Sequence, residues 1–497
     1  MVGEEFAELR DVAFGFLQHQ NIGSLVAHQV LQLALALHGT DTIDIPGDDF
    51  HYGDRLWKSA VWTGESAGRR ITEVHYTRQV PNGARGLVFA PPAPYSYASQ
   101  VMPPQETIQP VMPSHISSKL PGVGTTIFTV MSGLAQAHDA INLSQGFPDF
   151  EPDEALLDRV THYLKSGKNQ YPPMTGVPEL RRAIADKLRL TGGVEVDFET
   201  EITVTSGATE ALFCAIHAVV RPGDEVIVFD PAYDSYAPAV ALAGGKTVHL
   251  ALTLPDYRID WAALEAALNP KTRLIIINSP HNPTGTILTG DDLDRLSQAI
   301  GVRDCYVLSD EVYEHIIFDG QSHAGVSAHP QLARRSFAVF SFGKTYHATG
   351  WKIGYCVAPQ NLTAEFRKVH QFNTFTTVTP IQWALADFIR EQPDYYGRLS
   401  SFYQQKRDLF RALMADSPFK LLPCRGTYFQ LADYGALSGM GDLDDMAFAR
   451  KLTAEHGVAV IPLSPFYRTP PDTRTIRFCF AKQDQTLKRA ATILCAV

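Results

Sequence analysis

Short apolar runs alternate with longer stretches of helical periodicity in the chain from residue 202 onward. Six of these runs are rich in β-branched and aromatic residues, and each is predicted to form a strand: 202–206, 225–230, 273–278, 305–310, 336–342 and 352–358. The stretch 274–277 is apolar at every position, which is typical of a strand buried on both faces of a parallel sheet. The pattern therefore predicts an α/β domain with a mostly parallel sheet covered by helices.

A different pattern begins after Pro359. Two long stretches are predicted to be helical, 363–390 and 400–416, and three later runs are predicted strands: 428–432, 458–463 and 475–480. The acidic stretch 442–445 precedes a helical run that ends at Gly457. Acidic residues at a helix start and glycine at its end are ordinary dipole and capping features, so we interpret this stretch as a helix start and not as a metal loop. This half of the chain predicts a smaller α+β domain.

Residues 1–111 differ from the rest of the chain in sequence pattern. They end in a proline-rich stretch, 91–110, that is typical of an extended linker. We place a boundary near Met112. The extension resembles no family that we can name, and its fold is not predicted. It is an accessory domain, a poorly ordered appendage, or the product of a start codon assigned too far upstream, with Met102 or Met112 as the true first residue.

Composition narrows the class of protein. The 497 residues are 45% hydrophobic and include 43 Lys and Arg against 53 Asp and Glu, a formal net charge of -10. A negative balance disfavours non-specific attraction to nucleic acid or anionic lipid, so neither partner is expected. The six cysteines form no CxxC pair, and no run approaches the roughly 18 apolar residues that a membrane span requires. We expect a reduced, cytoplasmic protein without an export signal or a metal.

Unusual polar residues cluster just after four of the predicted strands, where open parallel sheets bind ligands. Residues 205–210 (TSGATE) open a helix and can offer backbone N–H groups to a phosphate, although Ser and Thr also make plain helix caps. Residues 278–285 (NSPHNPTG) form a stiff turn whose Asn and His side chains a turn alone does not need. Residues 309–313 (SDEVY) place a carboxylate at a strand end with a phenol three residues later.

The fourth cluster is residues 341–352 (SFGKTYHATGWK). Lys344 directly follows an apolar run, so we expect its amine to be partly desolvated, with a lowered pKa suited to Schiff-base chemistry. A single lysine at a strand end is usually solvated, and a lone Asp usually caps a helix. Together, however, a phosphate cradle, a carboxylate, a phenol, an amide and a lysine on one sheet edge match what pyridoxal phosphate requires.

These motifs carry a family resemblance. From about Ser117 to the C-terminus the chain resembles the fold-type I, class I pyridoxal-phosphate aminotransferases, and most closely their methionine and kynurenine aminotransferase branch. Besides the clusters at 278–285, 309–313 and 341–355, the resemblance rests on 142–150 (NLSQGFPDF), 169–171 (NQY) and 476–480 (IRFCF). It implies a large, mostly parallel-sheet domain at 156–384, a small α+β domain at 385–497, and an N-terminal segment at 112–155 that packs with the small domain. Residues 1–111 remain unassigned.

The resemblance also implies roles for individual residues. Lys344 would bind the cofactor covalently and move the substrate's α-proton, and Asp310 would pair with the pyridinium nitrogen. The catalytic set would be completed by Tyr313, which with Asn282 would hydrogen-bond the 3′-oxygen of the ring. Tyr233 would stack on the ring. The phosphate would be held by Ala208, Thr209, Ser341, Lys352 and, from the other subunit of a homodimer, Tyr171.

For the substrate, the resemblance implies that Arg477 clamps the α-carboxylate, with help from the backbone at Gly146 and from Asn282. Side chains expected near the pocket are apolar or aromatic, although each could equally belong to the core: Ile127, Phe147, Tyr171, Phe375 and Tyr428. No second arginine can be assigned for a side-chain carboxylate. We therefore predict transfer of an amino group from an apolar, sulfur-containing or aromatic L-amino acid, with methionine favoured, to a 2-oxo acid by a ping-pong mechanism.

Two alternatives stay open. The same cofactor could drive β-elimination from cysteine S-conjugates. Some transcription regulators fuse a DNA-binding domain to an aminotransferase-like domain, but residues 1–110 carry seven Lys and Arg against twelve Asp and Glu and show no basic recognition helix. His281, His315 and His347 lie inside the motifs, and we interpret them as structural or supporting residues because a lysine already supplies proton transfer.

Overall fold

The computed structural model describes residues 116–497 and two short strands, β1 (Phe50–Tyr52) and β2 (Arg55–Trp57), which pair antiparallel. The chain divides into two compact units, Met1–Pro110 and Val111–Val497. The predicted proline-rich linker at 91–110 lies outside the described residues, and the domain boundaries stay a prediction. Among the described residues, no helix has both the length and the apolarity that crossing a membrane requires.

The remaining strands lie in the second unit. They are β3 (Ile141–Asn142), β4 (Ile202–Thr205), β5 (Glu225–Asp230), β6 (Lys246–Ala251), β7 (Thr272–Asn278), β8 (Tyr306–Asp310), β9 (Ser336–Ser341), β10 (Gly354–Val357), β11 (Lys420–Leu421), β12 (Phe429–Asp433), β13 (Val458–Ala459), β14 (Ile461–Pro462) and β15 (Thr475–Cys479).

The helices alternate with these strands. They are α1 (Ile127–Ala137), α2 (Glu154–Lys165), α3 (Pro178–Gly192), α4 (Gly207–Val219), α5 (Tyr236–Leu242), α6 (Trp261–Ala267), α7 (Gly290–Ile300), α8 (Phe342–Thr345), α9 (Gln360–Asn373), α10 (Thr379–Glu391), α11 (Tyr395–Leu413), α12 (Asp445–His456) and α13 (Asp484–Leu494). Short 3-10 turns occupy Val326–Ala328, Ala333–Arg335, Thr349–Trp351 and Ser464–Phe466.

A seven-stranded sheet forms the centre of this unit, in the order β4-β10-β9-β8-β7-β5-β6. All strands run parallel except β10, which lies antiparallel between β4 and β9. The prediction of a mostly parallel sheet is confirmed, and the all-buried pattern of β4 and of the middle of β7 agrees with helices on both faces. The pattern missed β6, a half-exposed edge strand with Lys, Thr and His along its length.

Two predicted elements are wrong in detail. The stretch 363–390 is not one helix, because the chain leaves helical geometry between α9 and α10, where Phe375 has a φ of 68° and Pro380 can only begin a new helix. The predicted strand at 352–358 starts two residues later, because Lys352 adopts a left-handed φ of 54° that no strand accommodates.

The C-terminal part adds a four-stranded antiparallel sheet in the order β11-β12-β15-β14. A second small pairing joins β3 in parallel to β13, so residues near 142 are tied to residues near 458. One large apolar core extends from α1 to α13 and includes residues of both sheets. The acidic stretch before α12 is a helix start: Asp444 caps it, and Gly457 ends it in the left-handed conformation.

Gly354 allows β10 to pass close to the start of α4. A Cβ added at this residue would lie 2.5 Å from the carbonyl oxygen of Phe340 and 2.9 Å from the amide nitrogen of Ala208. Both neighbours are backbone atoms that other hydrogen bonds and strands hold, so they cannot move aside cheaply. The strand order around the first polar cluster therefore depends on a glycine.

We expect Gly354→Ala to lower the free energy of unfolding by about 2–4 kcal/mol, because the added methyl group overlaps backbone on both sides. Urea unfolding followed by circular dichroism measures the change. Gly133→Ala is the control, since it lies exposed in α1 with nothing within 4 Å of the added Cβ; it should raise stability by about 0.5–1 kcal/mol. Equal effects of the two variants would contradict the steric argument.

Candidate active site

A cavity of about 720 Å³ lies at the carboxyl edge of the large sheet. The residues that follow β4, β7, β8 and β9 all reach it, so the four polar clusters predicted from the sequence meet at one place. Its lining comprises Gly207, Ala208, Thr209, Leu212, Tyr233, Asn278, Asn282, Asp310, Val312, Tyr313, Ser341, Gly343, Lys344, Thr349, Lys352 and Ile353. This position is the one where open α/β sheets place ligands.

Asp310 ends β8 as a buried carboxyl at the floor of the cavity. Its Oδ2 accepts a hydrogen bond of 2.7 Å from the hydroxyl of Tyr236, and Asn278 donates one of 2.7 Å to its backbone carbonyl. Burial raises the pKa of Asp310 to about 6, although the Tyr236 hydrogen bond and the positive charge of Lys344 act in the opposite direction. A buried carboxylate that lacks an ion-pair partner is suited to a protonated ring nitrogen.

Lys344 lies on the one-turn helix α8, immediately after β9. Its Nζ donates to the backbone carbonyl of Gly146 at 3.2 Å. Burial, aided by the nearby charges of Lys352 and Arg477, lowers the pKa of its ammonium from 10.5 to about 8. A substantial fraction of the amine is therefore neutral near pH 8, which a nucleophilic lysine requires.

Helix α4 begins at the cavity with its first N–H groups free of a side-chain cap, because Ser206 makes no capping hydrogen bond. Lys352 approaches the same turn: a Cβ on Gly207 would lie 3.5 Å from its Nζ, and Gly207 itself has a φ of 76°. Lys352 holds a left-handed backbone that costs a non-glycine residue about 1 kcal/mol. An uncapped helix start, an adjacent ammonium and the Ser341 hydroxyl form a cradle that fits a phosphate.

Arg477 projects from β15 of the small sheet and is fully buried. One Nη donates to Asn282 Oδ1 at 2.8 Å and the other to the Ser144 carbonyl at 3.0 Å, while Nε has no partner. The guanidinium stacks 3.9 Å from the ring centroid of Phe429, and burial lowers its pKa to about 10. Within residues 116–497, no carboxylate forms an ion pair with it. A buried arginine with an unused donor needs an anion.

The small domain and the N-terminal segment meet at Gly146. Tyr428 donates to the Gly146 carbonyl at 2.6 Å, so this carbonyl accepts from Tyr428 and Lys344 together. A Cβ on Gly146 would lie 2.9 Å from Cζ of Phe429. The ring of Tyr313 packs edge-on against Tyr428 with 5.1 Å between centroids, and burial raises the pKa of Tyr313 well above its usual value.

None of the five side chains predicted near the pocket belongs to the lining of this cavity, and only the fully buried Tyr428 reaches Gly146 beside it. Tyr171 is 84% exposed and contacts Phe375, which is 40% exposed, with 5.6 Å between ring centroids. Phe147 is 44% exposed, and its backbone carbonyl accepts from Lys482 at 2.8 Å. Ile127 is buried in the core at the start of α1. Their roles stay predictions, and an outward-facing Tyr171 is compatible with a role in a partner subunit.

The three motif histidines lie outside the cavity lining. Burial lowers the pKa of His281 and of His347 to about 4, and it holds the pKa of His315 well below its usual value. His281 bonds Thr284 Oγ1 at 2.7 Å, and His347 packs edge-on against Phe150. Neutral, buried rings of this kind support the fold.

Sequence reasoning missed Tyr236 and Asn278. Tyr236 begins α5 three residues after Tyr233, and the two rings lie 5.6 Å apart. Asn278 bridges two clusters, because its amide donates to the Asp310 carbonyl while its Oδ1 accepts from the Asn282 N–H at 2.8 Å. Asn278 lies in the strand-end cluster 278–285 that the sequence singled out, but nothing in the sequence showed that its side chain would reach Asp310.

Comparisons with known proteins agree on one family. Residues 138–494 match the model of aminotransferase class I and II. The methionine aminotransferase of Escherichia coli (strain K12) is 55% identical over 385 residues, covering 78% of this chain and 98% of that protein. A kynurenine–oxoglutarate transaminase of Dictyostelium discoideum is 34% identical over 413 residues, covering 75% of this chain and 94% of that protein.

Solved structures give the same result. The crystal structure of the Escherichia coli methionine aminotransferase aligns with a TM-score of 0.76 at 55% identity, over 78% of this chain and all of that chain. The N-succinyldiaminopimelate aminotransferase of Mycobacterium tuberculosis aligns with a TM-score of 0.74 at 37% identity, over 77% of this chain and all of that chain. The resemblance drawn from the motifs is confirmed at the level of the family.

We expect Tyr236→Phe to raise the pKa of Asp310 further above 6, by about one unit, because the variant removes a hydrogen bond that favours the ionised carboxyl. Carbon-13 NMR of aspartate-labelled, cofactor-free protein measures it, with the Asp310 signal assigned from Asp310→Asn. Tyr306→Phe on β8 is the control, since its hydroxyl makes no hydrogen bond to another residue of 116–497. An unchanged Asp310 titration in Tyr236→Phe would contradict the assignment.

Proposed function

The chain belongs to the class I and II aminotransferase family and is a pyridoxal-phosphate-dependent transaminase, and on that premise we propose that it uses L-methionine, or another apolar, sulfur-containing or aromatic L-amino acid, as the amino donor to a 2-oxo acid. In the first half-reaction the donor would give up its amino group and become a 2-oxo acid, and in the second the acceptor 2-oxo acid would receive that group. Methionine is favoured because the 55% identical relative is a methionine aminotransferase.

The proposal rests on one observation, the full burial of the Arg477 guanidinium with one of its donors unused. Its guanidinium is fully buried, keeps one donor without a partner and has no carboxylate partner among residues 116–497. An α-carboxylate would occupy the open positions of its planar fork, and Asn282 and the Ser144 carbonyl already hold the fork in orientation. The binding of an amino acid would thus neutralise a buried charge.

Pyridoxal phosphate supplies an aldehyde that accepts the amino group and a ring that withdraws electrons from the substrate's α-carbon. The chain's residues are arranged for each part of that group. Asp310 would hold the ring nitrogen protonated, Asn282 and Tyr313 would bond the ring oxygen, and Tyr233 would cover one face. The helix start at Ala208 and Thr209, with Ser341 and Lys352, would hold the phosphate.

Lys344 would hold the cofactor and then move one proton. Its amine lies against the Gly146 carbonyl, at the junction of the cavity and the Arg477 pocket. With a pKa of about 8 it can accept the proton of the substrate's α-carbon and later return it to the cofactor side. Binding of the α-carboxylate at Arg477 would set the distance between that carbon and the amine.

The donor preference rests on the charges around the cavity. Its described lining contains no arginine, and its two ammonium groups, Lys344 and Lys352, are assigned to the cofactor. A side-chain carboxylate would therefore be buried without a partner, which costs more than burial of a thioether. Tyr428 and the aromatic rings around Arg477 offer apolar contacts instead.

Two further parts of the proposal concern the assembly and the compartment. We propose a homodimer in which Tyr171 completes the phosphate site of the partner subunit, supported by the 84% exposure of its ring in a single chain. We propose a cytoplasmic location, supported by six cysteines that are all free, five of them buried.

A donor panel tests the substrate class. We expect kcat/KM for methionine to exceed that for aspartate by at least about tenfold, because the aspartate side chain would enter the pocket without a counter-charge. Purified protein is assayed with methionine, phenylalanine, kynurenine and aspartate against several 2-oxo acids. Similar values for methionine and aspartate would overturn the donor class. Pyruvate released from a cysteine S-conjugate without an acceptor would favour the β-elimination alternative.

Substitution at Arg477 tests the carboxylate clamp. Arg477→Met should lower kcat/KM for methionine by roughly a thousandfold, and Arg477→Lys should lose less because it restores charge without the fork. The inhibition constant of 4-(methylthio)butanoate, which has the carboxylate and no amino group, should rise in parallel. Arg489→Met on α13 is the control at an exposed site. Unchanged inhibitor binding in Arg477→Met would exclude the clamp.

A further inference from the structure

Three buried side chains beside the phosphate cradle have no part in the chemistry described so far. Glu210 and Cys214 lie on α4 and His370 lies on α9, and their ligand-type atoms all fall within 4.8 Å of one another. His370 is fully buried and Glu210 is 8% exposed. Carboxylate, thiol and imidazole together suggest a metal site by donor type.

The hydrogen bonds of the group point to a different role. His370 Nδ1 lies 2.7 Å from Glu210 Oε1, and its Nε2 lies 2.9 Å from the carbonyl oxygen of Met174. A carbonyl only accepts, so Nε2 carries a hydrogen and donates it. The second carboxylate oxygen of Glu210 accepts the Ser206 N–H at 2.8 Å, and Oε1 also accepts from Cys214 Sγ at 3.2 Å.

The charges agree with an ion pair. Burial raises the pKa of the Glu210 carboxyl, but the hydrogen bond and charge of His370 outweigh burial, so the pKa lies below its usual value. The Glu210 carboxyl is therefore ionised and accepts the hydrogen bond from Nδ1 of His370. Burial raises the pKa of the Cys214 thiol. A metal would have to displace the thiol proton and the hydrogen bonds that both imidazole nitrogens make in this structure.

On one side, the Glu210–His370 pair contacts the backbone of the phosphate cradle. Ser206 is the residue before α4, and its N–H is bound by Glu210. The N–H groups of the first helical turn, on Gly207, Ala208 and Thr209, have no helical acceptor and lie at the cavity. Glu210 thus fixes the backbone that turns these groups toward the position proposed for the phosphate.

On the other side, the pair reaches the segment 170–177, which carries Tyr171. His370 holds this segment at the Met174 carbonyl. Two further contacts come from α10: Gln382 accepts the Val177 N–H at 2.8 Å, and Thr379 donates to the Gln170 carbonyl at 2.7 Å. The segment is therefore anchored by polar bonds along its length while the Tyr171 ring projects outward.

We propose that His370 is a positioning residue for two phosphate sites: through Glu210 it shapes the cradle of its own chain, and through Met174 it sets the position from which Tyr171 enters the partner's cradle. This inference rests on the proposed homodimer with Tyr171 acting across the interface. In this proposal each buried Glu210–His370 pair supports both cofactor sites of the dimer.

The first test separates a phosphate effect from general packing. His370→Gln is neutral and can make only one of the two bonds, so we expect the dissociation constant of pyridoxal phosphate to rise about tenfold, on the order of one lost charge-assisted hydrogen bond. Pyridoxal lacks the phosphate, and its dissociation constant should change by less than about twofold. Glu210→Gln keeps the shape and loses the charge, so it should show a smaller loss. His138→Gln, at an exposed histidine, is the control.

The second test uses mixed dimers of differently tagged chains in which only one site can react. In the first, a His370→Gln chain pairs with a Lys344→Ala chain, so the active site has the altered cradle. In the second, a wild-type chain pairs with a Lys344→Ala, His370→Gln chain, so only the segment carrying Tyr171 is altered. Relative to wild type paired with Lys344→Ala, both dimers should need more pyridoxal phosphate for half-maximal activity.

Each outcome decides the question. Equal losses for pyridoxal and pyridoxal phosphate would show a packing role and overturn the proposal, as would a second mixed dimer that matches the reference. If His370→Gln yields no folded dimer, the same two measurements on Glu210→Gln decide. A monomeric protein, or Tyr171→Phe with unchanged cofactor affinity, would instead defeat the proposed dimeric site. Zinc bound at one ion per chain and lost in His370→Gln would overturn the ion-pair assignment.

Discussion

The structure depends on positive charge held in a place where water cannot screen it. Arg477 is fully buried, and the pKa of Lys344 is lowered to about 8 by the same loss of solvent. Lys352, which is exposed, adds a third cation at the edge of this region, at the start of α4. Opposing them in the described cavity lining is one carboxylate, Asp310, whose own pKa is raised by burial to about 6. An apolar interior tolerates this arrangement only if anions arrive, and a phosphate and an α-carboxylate are the two anions of the proposed reaction.

Three separate parts of the chain must be held together for these charges to converge. The large sheet presents Asp310 and Lys344 at neighbouring strand ends, β15 of the small sheet supplies Arg477, and residues near Gly146 close the site between them. The parallel pairing of β3 with β13 links the last two parts, and the Gly146 carbonyl joins Tyr428 to Lys344. Movement of the small sheet would therefore change the distance between the carboxylate clamp and the reacting amine.

The fold by itself does not identify a substrate, since related aminotransferases with different donors share this architecture. The TM-scores of 0.76 and 0.74 belong to enzymes named for methionine and for N-succinyldiaminopimelate. The difference must lie in the walls of the pocket. In this chain the described lining contains no arginine, and aromatic rings surround Arg477, which is why an apolar or thioether side chain is the proposed choice.

The sequence by itself was enough to predict the mostly parallel sheet and the family, and it pointed to the residues that are proposed for the chemistry. Apolar runs such as 274–277 read as buried strands whatever surrounds them, and Lys344, Asp310 and Asn282 stood out because polar residues at strand ends need a reason. Only the tertiary structure decided the rest. Two features oppose a local preference: the break between α9 and α10 and the left-handed backbone of Lys352. Two others join residues that are far apart in the chain: the hydrogen bond from Tyr236 to Asp310 and the Glu210–His370 pair. Periodicity reports which side of an element is buried, but it carries no information about which distant group lies against it.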